Sequence, residues 1–292
     1  MIRMILQGGL GNQMFEYASA FSLARETGTE LVLDKSFFDV YGNRAWCRPY
    51  ELEVFALNDT TKTVSRSQLA VRVLPKLSLY CRKRDKYHLG RYLFDANDWE
   101  EAKTHRPSVL YGYFANCHLF EIYREDLLRH FAFRCAPNED NCLMQNQIDT
   151  CQSVSVHIRR GDYLNSANAH VFWKPSVTWY REAMAYVCAK VESPMFYFFS
   201  DDIVWVKKAF ADVQNAIFVD INHGKSAYND MRLMSHCKHN IIANSSFSWW
   251  GAWLNPNPHK VVIAPSKYYN DDNANKKKYL SRMIPQEWNI LE

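Results

Sequence analysis

The sequence predicts an α/β protein built on parallel sheets, and three observations carry that expectation. Short apolar strands alternate with amphipathic helices through the second half of the chain. A strand, a glycine loop and a helix open the first half in immediate succession. The 292 residues, 48% hydrophobic and 15% aromatic, can fill two compact cores or one large one, which excludes a mainly disordered chain.

Each element follows from its own pattern. Met4-Ile5-Leu6 forms the first strand and runs into Gly8-Gly9-Leu10-Gly11-Asn12. Met14, Tyr17, Ala18, Phe21 and Ala24 then recur at helical spacing as far as Gly28, which suits the left-handed residue that ends a helix. Leu31-Val32-Leu33-Asp34 is the second strand. Beyond it the pattern is irregular, and 138–151 reads as a linker, which places the domains at 1–150 and 151–292. In the second domain Val154, Val156 and Ile158 alternate with polar residues as a strand. Pro175 opens a helix through Tyr180, Met184, Val187 and Val191. Strands follow at 195–199, 216–219, 240–243 and 261–264, with helices at 203–210, 230–236 and 247–254 between them.

Composition excludes several classes. No run approaches the roughly 20 apolar residues of a membrane-spanning helix, and the first seven residues do not read as a signal peptide, so a cytoplasmic protein is expected. The eight cysteines include no C-x-x-C pair and read as reduced thiols rather than a disulfide framework or zinc site. A net charge of +4 is too mild for nucleic-acid binding but suits a pocket for an anionic small molecule. Cations concentrate between Arg72 and Arg91, where Lys76, Arg82, Lys83, Arg84 and Lys86 mix with Leu77, Leu79, Tyr80 and Tyr87. That tract is either a solvated helix face or a peripheral contact with an anionic membrane surface.

Open parallel sheets bind ligands at the carboxyl ends of their strands. In the second domain those ends read His157-Ile158-Arg159-Arg160-Gly161-Asp162, Ser200-Asp201-Asp202, Asp220, Asn244-Ser245-Ser246-Phe247 and Pro265-Ser266-Lys267. Paired arginines give multidentate hydrogen bonding to phosphate oxygens, and the start of a helix at Ser245 and Ser246 favours an anion. The carboxylates suit ribose hydroxyls or the N–H donors of guanine, so the set points to a nucleoside diphosphate. Plainer readings stand beside it: Arg160 with Asp162 as a structural ion pair, Asp201 or Asp202 as a helix cap, and Trp249, Trp250 and Trp253 as core.

Two familiar phosphate motifs fail at one residue each. Gly9-Leu10-Gly11-Asn12-Gln13-Met14 carries methionine where a dinucleotide fingerprint needs glycine or alanine, and Val219 replaces the first glycine that a P-loop ending in Gly224-Lys225-Ser226 needs. Asp34 near the usual acidic position keeps an NAD(P)-dependent oxidoreductase as the alternative, and a non-catalytic nucleotide- or glycan-binding module is the third reading. His-x-x-His metal spacing is absent.

Four stretches, taken together, resemble glycosyltransferase family 11, the bacterial-type α-1,2-fucosyltransferases. They are Gly8-Gly9-Leu10-Gly11-Asn12-Gln13-Met14-Phe15-Glu16-Tyr17-Ala18, His157-Ile158-Arg159-Arg160-Gly161-Asp162-Tyr163, Phe199-Ser200-Asp201-Asp202 with Trp205, and Asn244-Ser245-Ser246-Phe247-Ser248-Trp249-Trp250-Gly251-Ala252-Trp253-Leu254. Gly112-Tyr113-Phe114 is similar to a further family segment. The resemblance implies a GT-B-like fold, two Rossmann-like domains facing a cleft, with the acceptor on the N-terminal side and GDP-fucose on the C-terminal domain. It implies inverting transfer of L-fucose to the 2-hydroxyl of a terminal galactose on a free or lipid-linked oligosaccharide, with no metal or other cofactor.

Carried onto this sequence, the family's roles make Arg159 the ligand of the β-phosphate, with Arg160 a weaker candidate for the same task. His157 lies near the nucleotide, Asp202 and Asp230 on the donor side, and Asp230 reads guanine. Ser245, Ser246 and the Phe247 backbone bind the diphosphate, and Asn12 reaches the sugar–phosphate junction. The base is either a carboxylate, Asp162 or Glu16, or the departing phosphate itself.

Overall fold

The computed structural model describes the chain except residues 59, 60, 85, 87, 96–98, 100–102, 104–106 and 162–168, and the side chains of residues 82, 277 and 278. It forms two α/β units, Met1–Cys135 and Ala136–Glu292.

The first unit contains β1 (Ile2–Ile5), α1 (Leu10–Glu26), β2 (Leu31–Asp34), α2 (Ser36–Tyr41), β3 (Lys62–Val64), α3 (Gln68–Arg82), β4 (His88–Leu89), β5 (Tyr92–Leu93), β6 (Val109–Tyr111) and α4 (Arg124–His130). Its sheet runs β3-β2-β1-β6-β5-β4, parallel except for the β4–β5 pair. Helix α1 is buried on nearly every face, so its serines find backbone partners: Ser19 donates to the Phe114 carbonyl and Ser22 to that of Leu119. Gly28 ends the helix at φ +60°, as its position in the sequence implies.

The second unit contains α5 (Glu139–Asp149), β7 (Gln152–Ile158), α6 (Val177–Cys188), β8 (Pro194–Ser200), α7 (Ile203–Ala209), β9 (Ala216–Phe218), α8 (Tyr228–His236), β10 (His239–Ile241), α9 (Ser246–Leu254), β11 (Val262–Pro265) and β12 (Asn289–Leu291). All its strands are parallel in the order β12-β11-β10-β7-β8-β9. Both faces of β8 are buried: Phe196 and Phe198 pack against one apolar cluster, Tyr197 and Phe199 against another, as expected of a parallel strand covered on both sides. Trp249, Trp250 and Trp253 are core, at most 2% exposed.

Four points differ from the sequence reading. The linker over 138–151 is α5, capped by the Asn138 side chain and anchored by Ile148 among Tyr197, Phe199 and Leu233. Residues 136–150, expected to close the first domain, therefore belong to the second unit. Pro175 does not open α6, because the Ser176 hydroxyl accepts from Trp179 N at 3.1 Å and so takes the cap position. A last strand, β12, extends the sheet beyond β11.

Candidate active site

The order of the second sheet fixes where a ligand belongs. From β7 the chain moves outward through β8 and β9, then returns to lay β10 on the other side of β7. The crevice beyond the carboxyl ends of β7 and β10 is thus a topological switch point, where open α/β sheets bind ligands. The His157–Gly161 segment leaves β7 there, and Asn244-Ser245-Ser246 leaves β10.

Arg159 is held rather than free. Its Nη1 lies 2.9 Å from Asp201 Oδ2, and the other Asp201 oxygen accepts from Arg160 N at 2.8 Å. The register that pairs Ile158 with Ser200 brings the two turns side by side. Gly161 permits the approach, since a Cβ there would stand 2.6 Å from Asp201 Oδ2. The Arg159 side chain keeps 21% of its surface in solvent, which leaves it able to meet an anion.

Arg160 is braced by two side chains. Its Nε donates to Asp202 Oδ2 at 3.0 Å, and its guanidinium stacks over Trp205 at 3.6 Å from the ring centroid. The expected Arg160–Asp162 pairing lies outside the described residues, as does Asp162 itself. Asp202 is also the cap of α7, accepting from Trp205 N at 3.2 Å. Asp201, which the sequence suggests as a cap or ligand contact, is the partner of Arg159.

His157 is 4% exposed, and burial pushes its pKa down to about 4, so the ring is neutral. Its carbonyl accepts from the Tyr180 hydroxyl at 3.0 Å, while its Nδ1 finds no hydrogen-bond partner among the described residues. The ring lies 5.9 Å from that of Phe247. Ser245 caps α9, its hydroxyl accepting from Phe247 N at 3.3 Å, with Ser246 and Phe247 half-buried in the first turn. Asp230, in the first turn of α8, accepts from Asn222 Nδ2 at 2.9 Å, and Asn222 exchanges two hydrogen bonds with Asn141 of α5. Burial raises the Asp230 pKa to about 7.

Asn12 lies in the first unit, on α1 beyond β1, and its side chain covers Gly8, where a Cβ would come 2.7 Å from Asn12 Nδ2. Gly8 has φ +73°, a conformation glycine adopts without strain. The start of α1, where the glycine loop falls one residue short of a dinucleotide fingerprint, is met by the protein's own Glu51, which accepts from Leu10 N at 3.2 Å. Gln13 ties the same loop, bonding Gly8 O, Pro49 O and Glu51 N. Glu16 is sealed from any acceptor: it is fully buried, accepts from Gln7 N at 2.9 Å, and burial holds its pKa well above the usual carboxylate value.

The oxidoreductase alternative meets a direct obstacle at Asp34. A carboxylate that reads ribose must face the ligand, whereas Asp34 is fully buried and accepts from Ser36 N, Ser36 Oγ and Ser67 Oγ.

Residues 1–292 match the model of glycosyl transferase family 11. The chain belongs to that family. This family 11 glycosyltransferase is 32% identical to the O-antigen biosynthesis glycosyltransferase WbnK of Escherichia coli, over 93% of this chain and 96% of the relative. It is 33% identical to an alpha-1,2-colitosyltransferase of Escherichia coli, over 98% and 97% of the two chains. With galactoside 2-alpha-L-fucosyltransferase SEC1 of Bos taurus it shares 26% identity, over 85% of this chain and 62% of the relative. Fucosyltransferase NodZ from Bradyrhizobium has a similar fold, with TM-score 0.52 and 15% identity over 87% of this chain and 94% of that one. The expected GT-B-like α/β class holds.

Proposed function

We propose that this glycosyltransferase moves L-fucose from GDP-fucose to the 2-hydroxyl of a terminal galactose on an oligosaccharide acceptor of surface-glycan or O-antigen type, with inversion and without a metal. The observation that carries the reading is Arg159: a partly exposed guanidinium, fixed by Asp201, at the switch point of the second sheet.

In the step proposed, the bond from the galactose oxygen to fucose C1 forms as the bond from C1 to the β-phosphate oxygen breaks on the opposite face. Arg159 meets the charge that develops on the departing diphosphate, and its fixed position means that little reorganisation accompanies the reaction. The start of α9 adds backbone dipoles beside Ser245, Ser246 and Phe247. Asp230 accepts from guanine, and His157 offers its neutral ring to the nucleotide. Arg160, stacked on Trp205 and paired with Asp202, serves chiefly to shape the turn. The hydroxyl proton passes to Asp162 or to the diphosphate. Asp201 and Asp202 each already pair with an arginine, so neither stands as an unpartnered carboxylate for a metal ion, which supports the metal-free reading.

A second donor is favoured by one finding, the 33% identity to an alpha-1,2-colitosyltransferase. The deciding experiment incubates the protein, with EDTA, with GDP-fucose or GDP-activated colitose and a panel of β-galactosides, then maps product linkage by NMR. Fucose attached at the galactose 2-position is expected, with Arg159→Ala lowering the rate about a hundredfold. Transfer from the colitose donor alone, a different linkage, or a strict manganese requirement would overturn the corresponding part of the proposal.

A further inference from the structure

The basic tract of the first unit folds into a helix with two different faces. Val71, Leu74 and Cys81 of α3 point inward and are at most 1% exposed. The opposite stripe carries Leu69 at 79% exposure, with Val73, Leu79 and Tyr80 between 46% and 49%. Arg72 and Lys76 stand exposed among these apolar residues, and Lys83 continues the stripe past the helix end. From residue 66 to residue 84 the sequence contains six cations and no carboxylate. Arg84 lies over the Tyr80 ring, 3.8 Å from its centroid. A cavity of about 460 Å³ adjoins the stripe, lined in part by Arg3, Arg66, Leu69, Val73 and Tyr92.

This pattern is unusual for a solvated face, which does not need four large apolar side chains, and for a protein interface, whose centre is depleted of lysine. It matches an interfacial helix, where leucine and aromatic side chains enter the headgroup region while lysine and arginine meet lipid phosphates. We propose that the outward face of α3, with the adjoining groove, docks this protein on an anionic phospholipid bilayer. No described helix is long and apolar enough to cross a membrane, and the attachment proposed is peripheral. The inference stands independently of the donor sugar and of the transfer reaction.

Each lysine or arginine near an anionic leaflet is worth about a factor of five in partitioning, so losing three costs about a hundredfold. The full chain is sedimented with vesicles of phosphatidylcholine mixed with phosphatidylglycerol, and with vesicles of phosphatidylcholine alone. Binding to the mixed vesicles only, weakening as salt is raised, is expected. Arg72→Gln combined with Lys76→Gln and Lys83→Gln should lower partitioning about a hundredfold. Leu69→Ser with Leu79→Ser should also weaken it, with the thermal midpoint unchanged in both variants because every altered side chain is exposed. Equal binding to both vesicle types, no binding to either, or variants that bind like the parent would overturn the proposal. So would light scattering that shows a dimer broken by the leucine variant, or equal retention on duplex DNA. The salt titration of the unaltered chain tests the electrostatic part even if a variant fails to fold.

Discussion

Asp201→Asn isolates the contact on which the proposed chemistry turns. The substitution keeps size and shape but removes the charge that Arg159 Nη1 meets at 2.9 Å, and an amide has one acceptor oxygen for two donors, Arg159 and Arg160 N. A hydrogen bond to a charged group contributes about 1.5–3 kcal/mol net, against well under about 1 kcal/mol for a freely exposed ion pair. This pair is 21% and 25% exposed, which places it between those limits, at about 2 kcal/mol. Because Asp201 positions the arginine without touching the proposed reacting atoms, the loss should fall on transfer rate: about thirtyfold in kcat, with a smaller change in KM. The assay is steady-state transfer from GDP-fucose, paired with thermal unfolding to separate stability from rate. Asp201→Glu, which retains the charge, should recover part of the rate. An unchanged kcat in Asp201→Asn, with the fold intact, would refute the claim that this carboxylate holds Arg159 in place.

Three further outcomes follow from the same geometry. Gly161→Ala puts a methyl group 2.6 Å from Asp201 Oδ2, so transfer should fall about tenfold or more while the melting temperature moves little; wild-type turnover would show that the turn relaxes without consequence. Asp230, with a pKa raised to about 7, is mostly protonated below neutrality in the free protein, and guanine donors favour its ionised form. GDP binding should therefore release about one proton at pH 6, tighten as pH rises through 7, and lose this dependence in Asp230→Asn, as calorimetry in buffers of differing ionisation enthalpy would reveal. His157 is neutral when folded, its pKa lowered from 6.5 to about 4, so the unfolded chain takes up the proton first. Its contribution is constant above pH 6.5 and is lost as pH falls toward 4, by roughly 3 kcal/mol, which urea titrations across that range would measure against His157→Gln.

The second unit was largely legible in the sequence because a parallel sheet covered on both faces demands continuous apolar strands and amphipathic helices in turn. Arg159, Arg160 and the start of α9 were legible for a related reason, since strand ends define where a sheet of this kind opens. Helix α5 was not, because it buries little beyond Asn141 and Ile148 and shows almost no apolar stripe, although Asn138 and the acidic residues after it form a good helix start. The sequence resolves β4 and β5 poorly because two residues each carry no periodicity. Long-range polar contacts were invisible: Glu51 reaches the start of α1 across 41 positions, and Asp201 reaches the turn after β7 only through strand register. Asp34 shows the converse. Its place in the sequence suggests ribose recognition, and its hydrogen bonds to Ser36 and Ser67 make it a buried tie between β2 and the start of α3.

The neighbours β7 and β10 are joined by side chains 85 residues apart, Asn240 Nδ2 donating to Ser155 Oγ at 2.7 Å. A ribosome therefore releases the arginine turn long before the serine helix start that completes the pocket beside it. No partial chain ending before β10 contains both sides of the switch point, so that crevice is completed only once β10 has been made. On the proposed function, a GDP-sugar held at that crevice would stabilise the folded chain by mass action.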